Sequence, residues 1–194
     1  HASLLYSYLL EVNRDFTVKA GFEASYRTLN LDWSNLTFGD MIDPTYGFIY
    51  NTNEDIVNNA TNVSFPDFSA GVLGYTENMF FGFSAHHLTQ PDQGFISVSH
   101  LPRKYTAHIG GQFPISRYRN NVTTISPNFL YQKQQEFQQF NYGIYVNRGP
   151  IVGGLWTRNS LKNFDSFILM FGLVQDAFKF GYSYDITVSN LRNS

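Results

Sequence analysis

The chain has 194 residues, a net charge of −2 and no cysteine, which excludes disulfides, thiolate metal sites and the basic balance of a nucleic-acid binder. Charged residues are 14% and aromatic residues 18%, where an ordinary soluble domain has about 25% charged residues. No run approaches the roughly 20 consecutive apolar residues of a membrane helix, and the mean hydropathy is slightly negative.

Two-residue alternation begins almost at once, and in a strand it separates side chains onto opposite faces. Leu4, Tyr6, Tyr8, Leu10 and Val12 share one face, opposite Ser3, Ser7 and Glu11 with Leu5 and Leu9. Asn13-Arg14-Asp15 then reads as a short hairpin turn. Over 16–26, Phe16, Val18, Ala20, Phe22, Ala24 and Tyr26 oppose Thr17, Lys19, Gly21, Glu23 and Ser25. Weaker strands follow at 68–75 and 79–86, with Thr76-Glu77-Asn78 as a turn between them. Tyr105, Ala107, Ile109 and Phe113 oppose Thr106, His108 and Gln112. A weaker strand at 124–132 precedes Phe140, Tyr142, Ile144 and Val146, which oppose Asn141, Gly143 and Asn147. Two more weak strands lie at 151–158 and 166–174. The last run is the cleanest: Phe178, Phe180, Tyr182, Tyr184, Ile186 and Val188 oppose Lys179, Gly181, Ser183, Asp185 and Thr187.

The pattern predicts about ten strands of the roughly 9–11 residues that cross a bilayer at a tilt. Longer irregular segments are expected at 27–66, 87–103 and 114–122. The fold class is therefore all-β, an antiparallel transmembrane β-barrel of the outer-membrane type. A soluble β-sandwich also alternates, but its core mixes Val, Ile and Leu at high density. Here Phe and Tyr dominate the apolar face, and Tyr near strand ends suits a membrane–water interface.

Several segments carry a family resemblance. They are Tyr6-Ser7-Tyr8-Leu9-Leu10, Leu31-Asp32-Trp33-Ser34, Leu36-Thr37-Phe38-Gly39-Asp40-Met41-Ile42-Asp43 and Phe48-Ile49-Tyr50-Asn51-Thr52. Ala85-His86-His87-Leu88-Thr89-Gln90-Pro91, Leu101-Pro102-Arg103-Lys104-Tyr105-Thr106-Ala107-His108, Ile125-Ser126-Pro127-Asn128 and Phe178-Lys179-Phe180-Gly181-Tyr182-Ser183-Tyr184-Asp185 complete the set. In these segments, and in their order, the chain resembles the PorP/SprF family of type IX secretion system membrane proteins of the Bacteroidetes. The resemblance implies an integral outer-membrane barrel that serves secretion and gliding motility. It implies as partners outer-membrane lipid, other type IX secretion components, and the C-terminal domain of a secreted protein or adhesin held at the cell surface. Family members are usually longer at both ends. Residues 1–194 are thus expected to form one barrel domain that lacks N-terminal strands and the closing C-terminal strand.

The residues offer little chemistry beside this. No Gly-x-Ser-x-Gly elbow or phosphate loop occurs, so no enzymatic activity and no cofactor are expected. His86 and His87 are adjacent and would point to opposite faces, and His100 and His108 match no zinc spacing. No metal site is expected; a strand-end histidine bonding to a loop is the preferred reading. Asp40, Asp43, Glu54 and Asp55 make an acidic segment that lacks the ligand order of a calcium loop. With Arg103 and Lys104, which enter a strand, they are candidates for partner-binding loops. The basic pair could equally mark the edge of the membrane zone. Lys19, Glu23, His108, Lys179 and Asp185 are expected to face the lumen, where opposite charges can pair across strands. An outer-membrane pore or transporter for small solutes is the alternative function.

Overall fold

The computed structural model describes residues 1–53, 61–118, 121–161, 164–175 and 178–188. In chain order the strands are β1 (Ala2–Glu11), β2 (Thr17–Asn30), β3 (Ile42–Asp43), β4 (Gly47–Phe48), β5 (Asn62–Tyr75), β6 (Met79–His86), β7 (Lys104–Gly111), β8 (Phe113–Tyr118), β9 (Asn121–Gln134), β10 (Phe137–Arg148), β11 (Ile151–Ser160), β12 (Phe164–Gln175) and β13 (Phe178–Thr187). Two 3₁₀ turns, at Trp33–Asn35 and Gly39–Met41, are the only helical pieces among the described residues.

Ten strands form one antiparallel meander in the order β1-β2-β5-β6-β7-β9-β10-β11-β12-β13, and β8 joins it by pairing with β9. Strands β3 and β4 form a separate hairpin. Among the described residues β1 and β13 do not pair with each other, so the sheet is a partial barrel wall. It is also sheared. One cross-strand row runs Leu9, Lys19, Leu73, Gly82, His108, Leu130, Asn141, Arg158, Ser166, Thr187. It starts near the end of β1 and finishes on the last residue of β13, the stagger that tilted barrel strands require.

Register decides which residues share a face. The polar face carries Lys19, Glu23, Ser25 and Arg27 of β2, opposite Leu73, Ser69, Asp67 and Phe65 of β5. The apolar face carries Phe22, Val72, Phe83, Tyr105, Phe129, Tyr142, Leu155, Leu169 and Tyr184 from successive strands. Burial is inverted relative to a soluble domain. The apolar face is open, with Phe83 48% and Tyr184 57% exposed. The buried polar residues are Ser25, Asp67, Ser69 and Ser166, and the only buried hydrophobic residues among those described are Trp33 and Phe65. A sandwich would bury the Phe and Tyr side chains; this wall leaves them open, the arrangement of a transmembrane β-barrel.

Several inward glycines let aromatic rings lie flat across the neighbouring strand. A Cβ at Gly154 would sit 2.6 Å from Tyr145 Cδ1, and one at Gly110 would sit 2.6 Å from Phe80 Cζ. The missing side chain is thus filled by a cross-strand ring, which keeps the polar face covered without thickening the wall.

The structure corrects three expected boundaries. Strand β2 continues to Asn30 instead of ending at Tyr26, and β5 begins at Asn62 instead of Phe68. The ladder extends through Thr28↔Ser64 and Asn30↔Asn62, and Ser64 Oγ donates to Thr28 Oγ1 at 3.0 Å. These pairs put polar residues on the face that is apolar elsewhere, while Leu29 pairs with Val63 on the other, so the alternation inverts while the hydrogen bonds continue. The expected irregular segment 114–122 is largely the β8–β9 hairpin. Pro114 is tolerated because β8 has a partner on one side only and its register shifts between Pro114 and Ser116.

Opposite faces of one strand should respond differently to charge. Leu169→Arg, on the open apolar face in mid-β12, is expected to lower stability by about 2–4 kcal/mol in lipid vesicles. Ile168→Arg faces the polar side opposite Asp185 and should cost under about 1 kcal/mol. Denaturant unfolding followed by tryptophan fluorescence measures both.

Candidate functional site at the loop-bearing rim

Strand direction sorts the connections by end. The links 12–16, 76–78 and 149–150 close one end of the sheet. The two long segments, 31–61 and 87–103, both emerge at the other end, where 135–136 makes a tight turn. The third segment expected to be long belongs to the short-turn end, as the β8–β9 hairpin.

At the loop end of the polar face sits the most buried charge of the wall. Asp67 is 1% exposed. His87 Nδ1 lies 2.7 Å from Asp67 Oδ2, and Arg27 Nη2 lies 3.8 Å from the same oxygen. Ser25 Oγ donates to the Asp67 carbonyl at 3.3 Å. His87 is the first residue after β6 and has a left-handed backbone, φ 57°. That conformation disfavours a residue with a Cβ and persists where neighbours fix it. Here the Asp67 bond fixes it, and the Leu88 amide adds a 2.9 Å bond to the Phe68 carbonyl. The histidine pair therefore splits: His87 anchors the loop, while His86 Nε2 lies 3.3 Å from Ser84 Oγ.

Arg103 closes the other end of the same loop, its Nε donating to the Leu88 carbonyl at 3.0 Å. Lys104 opens β7 on the polar face, opposite His86 and Gln134. Within the loop, Asp92 Oδ1 accepts from the Ser99 amide at 2.8 Å and the Gly94 amide at 3.0 Å. These amide bonds favour the carboxylate and hold Asp92 below its ordinary range.

The 31–61 segment is organised by carboxylates too. Asp43 Oδ1 accepts from the Thr45 amide at 2.8 Å and the Tyr46 amide at 3.0 Å, while Tyr50 donates to Asp43 Oδ2 at 2.9 Å. The Thr45 and Tyr46 amides, then the Tyr50 hydroxyl, hold the Asp43 carboxyl below the usual range. Asp40 Oδ2 accepts from the Asn53 amide at 2.6 Å and from Thr52 Oγ1 at 3.1 Å. Asp40 and Asp43 thus brace the loop internally. Glu54 and Asp55 lie outside the described residues.

Register places Lys19, Glu23, His108, Lys179 and Asp185 on the polar face. The first three line one concavity of about 400 Å³ with Ser69, Ser84 and His86. Asp185 accepts instead from Arg158 Nη1 at 3.2 Å across β12. Sequence reasoning passed over Arg158, although it shares parity with Gly154 and Trp156 in its strand. It also passed over Asp67, which the late start assigned to β5 left outside any strand.

A meander that exposes its apolar face and keeps its buried polar residues on the other is the wall of a membrane β-barrel. Over residues 1–194 the sequence matches the family described as type IX secretion system membrane protein PorP/SprF. The chain belongs to that family and is a membrane component of type IX secretion. No curated protein and no solved structure matches it closely enough to count as a relative.

Two outcomes test the loop anchors. His87→Ala should cost about 1–3 kcal/mol by leaving Asp67 without its nearest partner, and should speed proteolysis within 87–103. His87→Asn, which tolerates the left-handed backbone, should lose less. For Asp43 the folded-state value is lowered, so its contribution is complete above the unfolded value of about 3.9 and is lost as pH falls through the folded one. A carboxyl-carbon NMR titration should give a midpoint below about 3.9.

Proposed function

We propose that this protein is an outer-membrane barrel that binds a secreted partner and anchors it at the cell surface through its long loops. The observation that carries the reading is the clustering of both long loops, 31–61 and 87–103, at one end of the sheet. Outer-membrane barrels put their longer loops outside and their short turns in the periplasm, so this end is assigned to the cell surface. Family membership supports association with other secretion components. The binding elements are the two loops: one braced by Asp40 and Asp43 and including Glu54 and Asp55, the other bounded by Arg103 and Lys104. The partner is a secreted protein or adhesin, held through its C-terminal domain.

The polar face is the lumen side, lined by Lys19, Glu23, His108, Lys179 and Asp185, and the apolar face meets lipid. Residues 1–194 form one barrel domain, and the β1 and β13 edges pair with strands beyond this sheet. Unpaired backbone groups in hydrocarbon cost several kcal/mol each, which is why both edges need partners.

The test is affinity capture of the detergent-solubilised protein from outer membranes, with identification of what co-purifies. The expected result is secreted proteins sharing a C-terminal domain, together with secretion components. Recovery of the barrel alone, with ion conductance in planar bilayers, would replace this reading with a solute pore.

A further inference from the structure

The 31–61 loop holds an ordered hairpin whose apolar side chains point away from the protein. Ile42 pairs with Phe48 and Asp43 with Gly47. Gly47 takes φ 80°, which closes the turn. The Asp43 bonds to Thr45, Tyr46 and Tyr50 fix it from inside, and the Ile49 and Tyr50 amides both bond to the Met41 carbonyl. The ordering does not bury the tip. Tyr46 is 77% exposed, and Phe48, Ile49 and Tyr50 are each more than half exposed. A braced segment that keeps four large apolar side chains in water resembles an interface more than a collapsed loop.

Its charge selects the occupant. Residues 31–61 contain Asp32, Asp40, Asp43, Glu54 and Asp55 and no Lys, Arg or His, while the whole chain carries only −2. The loop is therefore the most acidic stretch of a protein whose remainder is net basic. An anionic membrane surface would repel it, which argues against an aromatic lipid anchor. A protein face with an apolar pocket ringed by Lys or Arg would be drawn to it and would bury the aromatics.

We infer that the hairpin 42–50 is the contact point for the secreted partner, and that the partner's docking face is a basic-rimmed apolar pocket. This rests on the anchoring function proposed above and names the element and the chemistry that would carry it.

The test uses the full-length protein in detergent and, as probes, purified C-terminal domains of proteins secreted by the same cell, each titrated by surface plasmon resonance. Two variants are compared with the parent: Tyr46→Ser alone, and Tyr46→Ser with Phe48→Ser and Ile49→Ser. The bound probe should lose about tenfold or more in affinity with the triple variant, and a smaller factor with Tyr46→Ser, which touches only the exposed tip. Raising salt from about 50 mM to about 500 mM should slow association about tenfold. A probe that binds both variants and both salts equally would overturn this inference and leave the anchoring function standing. Failure of every probe to bind the parent would overturn both. Binding of the parent, but not the triple variant, to anionic vesicles would assign the hairpin to lipid instead.

Discussion

The hydrogen-bonded ladder is the constraint on which everything else depends. In hydrocarbon no water is present to satisfy a backbone amide or carbonyl, so a strand that crosses must be paired along its length. Each of the eight inner strands of the meander from β2 to β12 has a partner on both sides. Once the ladder is fixed, side chains have no freedom of face: every second residue meets the outside and every second one the inside. That geometry sends Phe22, Phe83, Tyr142 and Tyr184 to one face and Glu23, Ser84, Asn141 and Asp185 to the other. The aromatic content and the scarcity of charge follow from the same rule.

The same rule explains why the polar groups cluster as they do. Asp67 is buried within a wall rather than in a globular core, and its partners come from the strand beside it and the loop above it. Arg158 and Asp185 meet across an intervening strand because both must use the inner face. At the loop end the ladder no longer dictates the structure, and carboxylates take over. Asp40, Asp43 and Asp92 each gather backbone amides or hydroxyls and turn irregular chain into defined loops.

Much of this was legible in the sequence where the two faces differ in chemistry. In β2 and β13 the apolar side is nearly all aromatic or aliphatic, so period two stands out. It was illegible where the chemistry of the two faces inverts, with Leu29 and Val63 on the side that is polar elsewhere. Thr28, Asn30, Asn62 and Ser64 are polar on the exposed side, and their strands were read as loop although the ladder runs through them. Strand β8 was hidden by Pro114, which a one-sided strand accommodates and a sequence pattern takes as a break. The rim was half legible. Asp40 and Asp43 stood out as an acidic group, but their role depends on amides brought close by turn geometry, which residue spacing does not encode. The sequence favours a strand-end histidine bonding to a loop, and the structure reverses the placement: His87, just past β6, bonds to Asp67 within β5, a partner that parity cannot identify until the strand's limits are known.

The central claim is that the apolar face meets lipid and the polar face meets water. These 194 residues contain no cysteine, so single cysteines placed here report without background from this stretch. The most direct measurement puts one at Tyr182 and another at its neighbour Ser183, then labels the protein in lipid vesicles. The account predicts that Ser183→Cys reacts with a membrane-impermeant maleimide, while Tyr182→Cys reacts only with a lipid-soluble reagent. The reverse order, or equal reaction of both with the water-soluble reagent, would contradict it.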